Sequence, residues 1–347
     1  MVLITGGAGF LGYHVARGFS ERGLQLVLLD VARFHEAEYP KGTIFHQADV
    51  RDRDALRRVF SNQPVDVVIH TAAALPLEKK RTIYEVNVEG VRNVFQAAKD
   101  AGVPRVVFIG STAVYGVPDK HPLFEDDPLV GVGPYGHTKI EGERICQEFR
   151  ECGMTVAILR PKTFVGTGRL GVFQILYDWV ESGCRIPMIG WGKNRYQLLE
   201  VEDLVDAIHR CATGDSSLVS DTFNVGAKEF KTVREDMQAL CDYAKSGARP
   251  MGTPAKLIKP MLMVLETLHL SPLYKWVYGT ADKDSFVSTE KIETKLGWSP
   301  KYSNAAAMIR SYQWYLEHKT ESDSATGLTH RVAWKQGALR CAKWVLR

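Results

Sequence analysis

Short apolar runs alternate with longer amphipathic stretches over roughly the first 160 residues, the pattern of a parallel sheet covered by helices on both faces. The runs predict strands at Val2–Thr5, Leu26–Leu29, Thr43–Gln47, Val65–His70, Arg105–Gly110 and Thr155–Leu159. Between them the periodicity predicts helices over Leu11–Glu21, Arg53–Asn62, Ile83–Asp100 and Thr138–Glu151, with stops at Gly23, Gln63-Pro64 and Gly102 with Pro104. V-D-V-V-I-H and R-V-V-F-I-G are nearly continuous apolar runs, as strands buried on both faces must be.

Beyond Pro161 the rhythm changes. Phe173–Ser182, Val201–Cys211, 228–241, 254–270 and Ala305–His318 are predicted helices, with Pro260 ending or kinking the fourth. Gly190–Tyr196 is a polar loop, and D-T-F-N-V-G at 221–226 has the character of one more buried strand. The expected organisation is an α/β, Rossmann-type doubly wound sheet over 1–164, rejoined by 201–226. A smaller substrate domain is expected from 165–200 and 227–318, followed by a basic tail, 319–347.

Composition narrows the function. The charged fraction is 24% and the net charge +4, but Arg331, Lys335, Arg340, Lys343 and Arg347 all lie after Gly327, in a stretch without acids, so the body is near neutral and lacks a nucleic-acid footprint. Six scattered cysteines with no C-x-x-C pair form neither a disulfide nor a zinc framework, so no metal is expected. With no export signal at the start, they fit a reducing, cytoplasmic setting. No run of apolar residues is long enough to span a membrane. In the tail, Arg340, Lys343 and Arg347 fall on one helical face and Leu339, Cys341, Ala342, Val345 and Leu346 on the other, with Trp344 between. That pattern suits packing on the body, the preferred reading, or peripheral contact with a partner or an anionic membrane.

The candidate chemistry begins at V-L-I-T-G-G-A-G-F-L-G, where Gly6, Gly9 and Gly12 follow a strand and open a helix. A pyrophosphate needs this tight turn, this close backbone approach and the free N–H groups of a helix start. Asp30 ends the second strand, where a carboxylate can accept both ribose hydroxyls and repel a 2'-phosphate, so NAD is expected over NADP, with Arg33 close enough to soften the preference. Asp49 and Val50 are candidates for the adenine edge and face. At the other end, Tyr135 and Lys139 in Y-G-H-T-K share a helical face, and Ser111 follows the strand R-V-V-F-I-G. An ammonium beside a phenol lowers its pKa, so Tyr135 is the expected base, Lys139 its electrostatic support and Ser111 the partner of the substrate oxygen.

With these residues the chain resembles the extended short-chain dehydrogenase/reductase family, in particular its NAD-dependent epimerase/dehydratase group. The likeness runs over roughly 1–318 through T-G-G-A-G-F-L-G, H-T-A-A-A at 70–74, N-V-E-G at 87–90, G-S-T-A-V-Y-G at 110–116, Y-G-H-T-K, L-R-P at 159–161, V-E-D-L-V-D-A and L-G-W-S-P. It implies cofactor contacts from Phe10, Leu11, Ala72, Ala73, Pro161 and Lys139, a bracing role for Asn87, and a homodimer through the helices at 83–100 and 138–151. Phe164 and the residues beyond it would close over the substrate. Thr112 and Ala113 stand where the family's dehydratases carry an Asp-Glu pair, so dehydration is rejected and both become candidate substrate neighbours.

The family's usual arginine before L-G-W is missing from 278–288. Arg169, or Asn194 and Arg195 in G-K-N-R-Y-Q, are the candidates to hold a diphosphate instead. The resemblance implies NAD-dependent hydride transfer at a ring carbinol, with C4 of a nucleotide sugar favoured. The bulky apolar stretch 254–278, expected to be core, is similar to 3β-hydroxysteroid dehydrogenase relatives and keeps an apolar cyclic alcohol as an alternative. A non-catalytic NAD-binding regulator is the third reading.

Overall fold

A computed structural model describes residues 1–76, 78–267, 275–322, 343 and 346. Seven parallel strands form the central sheet: β1 (Val2–Thr5), β2 (Leu26–Asp30), β3 (Ile44–Gln47), β4 (Val67–His70), β5 (Arg105–Ile109), β6 (Thr155–Pro161) and the late strand Thr222–Val225. From one edge the order is Thr222–Val225, β6, β5, β4, β1, β2, β3, so the winding direction reverses between β1 and β4. Open parallel sheets bind ligands at such a reversal, outside the carboxyl ends of the strands.

Helix α1 (Phe10–Ser20) and the helix Val201–Thr213 cover one face, where Val15, Phe19, Leu204 and Ile208 meet Ile4, Leu28 and Phe223. The opposite face is packed by Leu56, Val94, Phe95, Ile145 and Phe149 from helices spanning Arg53–Asn62, Val91–Asp100 and Gly133–Glu151. Strand residues such as Leu3, Val68, Val106 and Val156 are wholly enclosed, which is why these strands lack a polar alternation.

Most predicted boundaries move by a residue or two, and the larger differences have local causes. The site helix starts at Gly133 rather than Thr138, because Pro134 sits in its first turn, where a missing N–H is harmless. The predicted helix at 83–100 begins at Lys80 and contains a π turn over Glu85–Gly90. β6 runs on to Pro161 because Thr222–Val225 pairs alongside it up to Pro161 and Val225. The capping box of Thr232 and Glu235 delays the next helix to Val233. Pro260 lies within the helix Ala255–Thr267 and does not end it.

A second cluster, containing Val165, Tyr177, Trp179, Leu240, Met308 and Tyr312, lies between the helices Val172–Glu181, Val233–Ala244 and Asn304–Ser322. Two short parallel pairs accompany it, Thr163–Val165 with Leu198–Glu200 and Arg185–Ile189 with Arg249–Thr253. The expectation that 254–278 is core does not hold for its first helix: Leu262 is buried, but Leu257, Met261, Met263 and Val264 are at least half exposed. Most of the tail lies outside the described residues. Residues 319–322 continue the helix Asn304–Ser322, and farther along Lys343 donates to Asp178 Oδ2 at 2.7 Å and Leu346 packs against the second cluster. Among the described residues no helix is long and apolar enough to cross a membrane.

At the carboxyl end of β6 the Arg160 guanidinium forms a two-pronged ion pair with Glu143 of the site helix, at 2.9 and 2.6 Å, with both groups buried. Burial is the largest single effect and favours loss of the arginine's proton, but the hydrogen bonds and charges of Glu143 and Tyr115 together outweigh it and the pKa is raised. Arg160→Met would leave Glu143 as an uncompensated buried charge and should lower stability by about 3–5 kcal/mol in urea unfolding. Adding Glu143→Gln should recover most of the loss. A single-variant loss below about 1 kcal/mol would show that the pair does not hold the helix to the sheet.

Candidate active site

The chain leaves β1 through Gly6, which has a left-handed φ of +72°, and enters α1 at Phe10 with no side chain capping the helix start. A Cβ on Gly12 would lie 2.1 Å from the Gly6 carbonyl oxygen, so the loop closes on the helix only because that position is bare. Asp30, at the end of β2, accepts the Ala8 N–H at 2.9 Å and the Ala32 N–H at 2.9 Å, which fixes the loop beside the open helix terminus. A short bare turn, unsatisfied helix N–H groups and a fixed carboxylate one strand away fit a dinucleotide, with the pyrophosphate at α1 and a ribose at Asp30. Arg33 is exposed nearby. Ala72 follows β4 and packs its backbone against Gly6, with Ala73 next to it. Val50 is buried beneath Gly90, whereas Asp49 is turned to Arg51 at 2.6 Å, a partner that lowers its pKa.

Ser111, the residue two after β5, caps a short turn at Thr112–Tyr115 by accepting the Ala113 N–H at 3.1 Å. Its hydroxyl also lies near enough to the Tyr135 phenol to favour the phenolate. Tyr135 and Lys139 lie one turn apart on the helix Gly133–Glu151, with Lys139 Nζ 5.7 Å from the centre of the phenol ring and bonded to the Ile109 carbonyl at 2.8 Å. Asn87, in the π turn, accepts the Ala74 N–H at 2.8 Å and donates to Thr138 Oγ1 at 3.3 Å. It therefore braces the loop after β4 against the site helix.

The electrostatics differ from the expectation of a phenol already lowered by its lysine. Burial pushes Tyr135 up to about 12, and the nearby Ser111 hydroxyl only partly opposes it. Burial likewise pulls Lys139 down to about 8 against the opposing charge of Glu143. Desolvation outweighs an ammonium that faces a carbonyl rather than the phenol oxygen.

The remaining candidates separate into two places. Arg169 is buried 5.0 Å over the Phe10 ring and 5.4 Å over Phe164, at the nucleotide end, and is no solvated loop charge. Arg195 is exposed between Phe230 and Phe286, at 4.6 and 4.8 Å, while Asn194 donates to the carbonyls of Ala281 and Lys283 and so braces a loop. Thr112 donates a long 3.4 Å bond to the Pro161 carbonyl and Ala113 is buried, so neither supplies an acid or base. Sequence reasoning missed Lys162, whose buried amine lines a cavity with Thr112 and Ala113. Its only signal is a lysine directly after L-R-P.

The sequence profile of the NAD dependent epimerase/dehydratase family matches residues 2–226. The chain belongs to that family. It is an NAD-dependent enzyme of the extended short-chain dehydrogenase/reductase type, and the family's cofactor suits the bare turn after β1. Among curated relatives, an uncharacterized protein of Sinorhizobium fredii, y4nG, is 34% identical over 99% of this chain and 86% of its own length. The UDP-glucose 4-epimerase of Halalkalibacterium halodurans is 28% identical over 91% of this chain and 96% of its own. In structure, the UDP-glucose 4-epimerase of Thermotoga maritima solved with UDP-glucose has a TM-score of 0.76 and 22% identity, covering 92% of this chain and 99% of that one. The Thermus thermophilus enzyme solved with NAD has a TM-score of 0.74 and 24% identity, covering 91% and 98%. At these identities the two structures establish the fold.

The bare position at Gly12 gives a direct test of the family's cofactor site. Gly12→Ala should weaken NAD binding by at least about tenfold in calorimetry, with the variant still folded. NAD affinity within about twofold of wild type would show that the loop after β1 does not cradle the pyrophosphate.

Proposed function

We propose that the chain is a nucleotide-sugar epimerase acting at a ring carbinol, with C4 favoured, and that Tyr135 is its base. The observation that carries this reading is the grouping of Tyr135 and Lys139, one helical turn apart on the site helix, with Ser111 at the carboxyl ends of the same strands that present the glycine turn. The UDP-glucose 4-epimerases among the relatives support the substrate class.

NAD, held at the Gly6–Gly12 turn and by Asp30, would supply reversible hydride exchange at the carbinol carbon. The protein manages the proton. Ser111 and Tyr135 hold the substrate hydroxyl between them, and Tyr135 takes its proton and later gives it back. With the phenol near 12, Tyr135 stays protonated until substrate and cofactor complete the site. Lys139, whose amine at about 8 is still mostly protonated near pH 7, offsets the negative charge that develops on the phenol.

Asp30 favours NAD, because a 2'-phosphate would meet its carboxylate. In this reading 1–164 with 201–226 hold the cofactor, 165–200 and 227–318 close over the sugar, and Arg195 serves the diphosphate. The protein works in the cytoplasm as a homodimer that pairs through the helices Val91–Asp100 and Gly133–Glu151. The exposed apolar residues of Ala255–Thr267 face solvent rather than a pocket, which weakens the steroid-like alternative.

Tyr135→Phe removes the proton acceptor and no nucleotide contact. It should lower kcat by at least about a hundredfold while NAD affinity stays within about threefold. More than about a tenth of wild-type turnover would remove Tyr135 from the chemistry.

A further inference from the structure

Lys162 directly follows β6, at the carboxyl edge of the sheet, and its side chain is only 4% exposed. An ammonium carries three donors. Among the described residues its recorded partners are the Ser285 hydroxyl at 2.6 Å and the face of the Tyr196 ring at 5.0 Å, and no carboxylate pairs with it. The amine lines a cavity with Thr112, Ala113, His121 and Asp284. That cavity's carboxylate, Asp284, is turned toward the backbone N–H of Arg195 at 2.7 Å. Burying a cation with so few acceptors is unfavourable unless something that binds there supplies the missing charge.

We propose that Lys162 is the specificity residue of the sugar subsite and reads a carboxylate carried by the sugar ring. The inference rests on the nucleotide-sugar reading and names a class of substrate within it, the nucleotide-linked uronic acids. Location separates the ring from the diphosphate as the source of the anion. Thr112 and Ala113, which bound the cavity, directly follow Ser111, so in this reading the cavity adjoins the place of the reacting ring. Arg195 stands exposed between two aromatic rings, open to a diphosphate from outside. Burial holds the Lys162 amine at about 7, so a bound carboxylate would complete its protonation. His121 lines the same cavity with its pKa lowered, chiefly by burial and further by the Lys162 charge, and so stays neutral and adds no competing cation.

Calorimetry on the NAD-loaded full chain with UDP, UDP-glucose and UDP-glucuronic acid tests this. Wild type should bind the acid at least about tenfold more tightly than UDP-glucose. Lys162→Met should abolish that preference by weakening the acid alone, leaving UDP and UDP-glucose within about threefold. The ligand-free Lys162→Met variant should melt at or above the wild-type temperature, because a poorly partnered buried amine has been removed, whereas a structural lysine would lower it. Lys162→Gln, which keeps a donor toward Ser285, gives the same comparison if the methionine variant does not fold. Equal wild-type affinities for the acid and UDP-glucose would overturn the inference and leave the epimerase reading intact. Equal weakening of UDP would overturn it by assigning the amine to the diphosphate. Failure of all three ligands to bind would overturn the nucleotide-sugar reading, and this inference with it.

Discussion

The buried ion pair between Arg160 and Glu143 joins the carboxyl end of the sheet to the helix that carries Tyr135 and Lys139. Its reach is wider than two residues. Arg160 also donates to the Tyr115 hydroxyl at 2.7 Å, and Tyr115 donates to Asn224 Oδ1 at 2.7 Å, so β6, the turn after Ser111 and the late strand Thr222–Val225 are tied at one point. Glu143 lies one turn beyond Lys139 and favours its charged form. The position of the site helix, the return of the chain to the sheet and the charge on the site lysine therefore share a single electrostatic anchor.

Around that anchor the interior favours uncharged groups. The Tyr135 phenol is held up near 12, Lys139 is drawn down to about 8, and His70 is pulled down to about 3 by burial and by the nearby Lys139. His70 instead shares a neutral hydrogen bond with Thr5, at 2.8 Å, between the ends of β4 and β1. A site with this character releases no proton while empty. In the proposed reaction, binding would supply the charge that makes the phenol a base, coupling proton transfer to the completed complex.

Much of this was legible in the chain because it is local. Strand runs, helix periods, the glycine turn and the i, i+4 spacing of Tyr135 and Lys139 depend on neighbours within a few residues, and they gave the doubly wound sheet and the residues of the candidate site. The less legible features depend on distant partners. Arg160 finds Glu143 only through the crossover from the site helix into β6, and Lys162 meets Ser285 across more than a hundred residues of chain. Arg169 was a candidate to hold a diphosphate, and it lies against three aromatic rings brought from α1, Phe164 and the helix Val172–Glu181. The apolar stretch at 254–267 was expected inside, but hydrophobicity without a clear period does not say which side of a helix faces the core.

In the proposed reaction the hydrogen of a ring carbinol is removed and returned within one closed site while Tyr135 handles only the hydroxyl proton. Proton NMR of UDP-glucose and UDP-glucuronic acid incubated with the NAD-loaded protein in D2O tests it most directly. The account predicts the C4 epimer of at least one of them, with protium retained at C4. Deuterium entering at C4, or no epimer from either sugar, would contradict it.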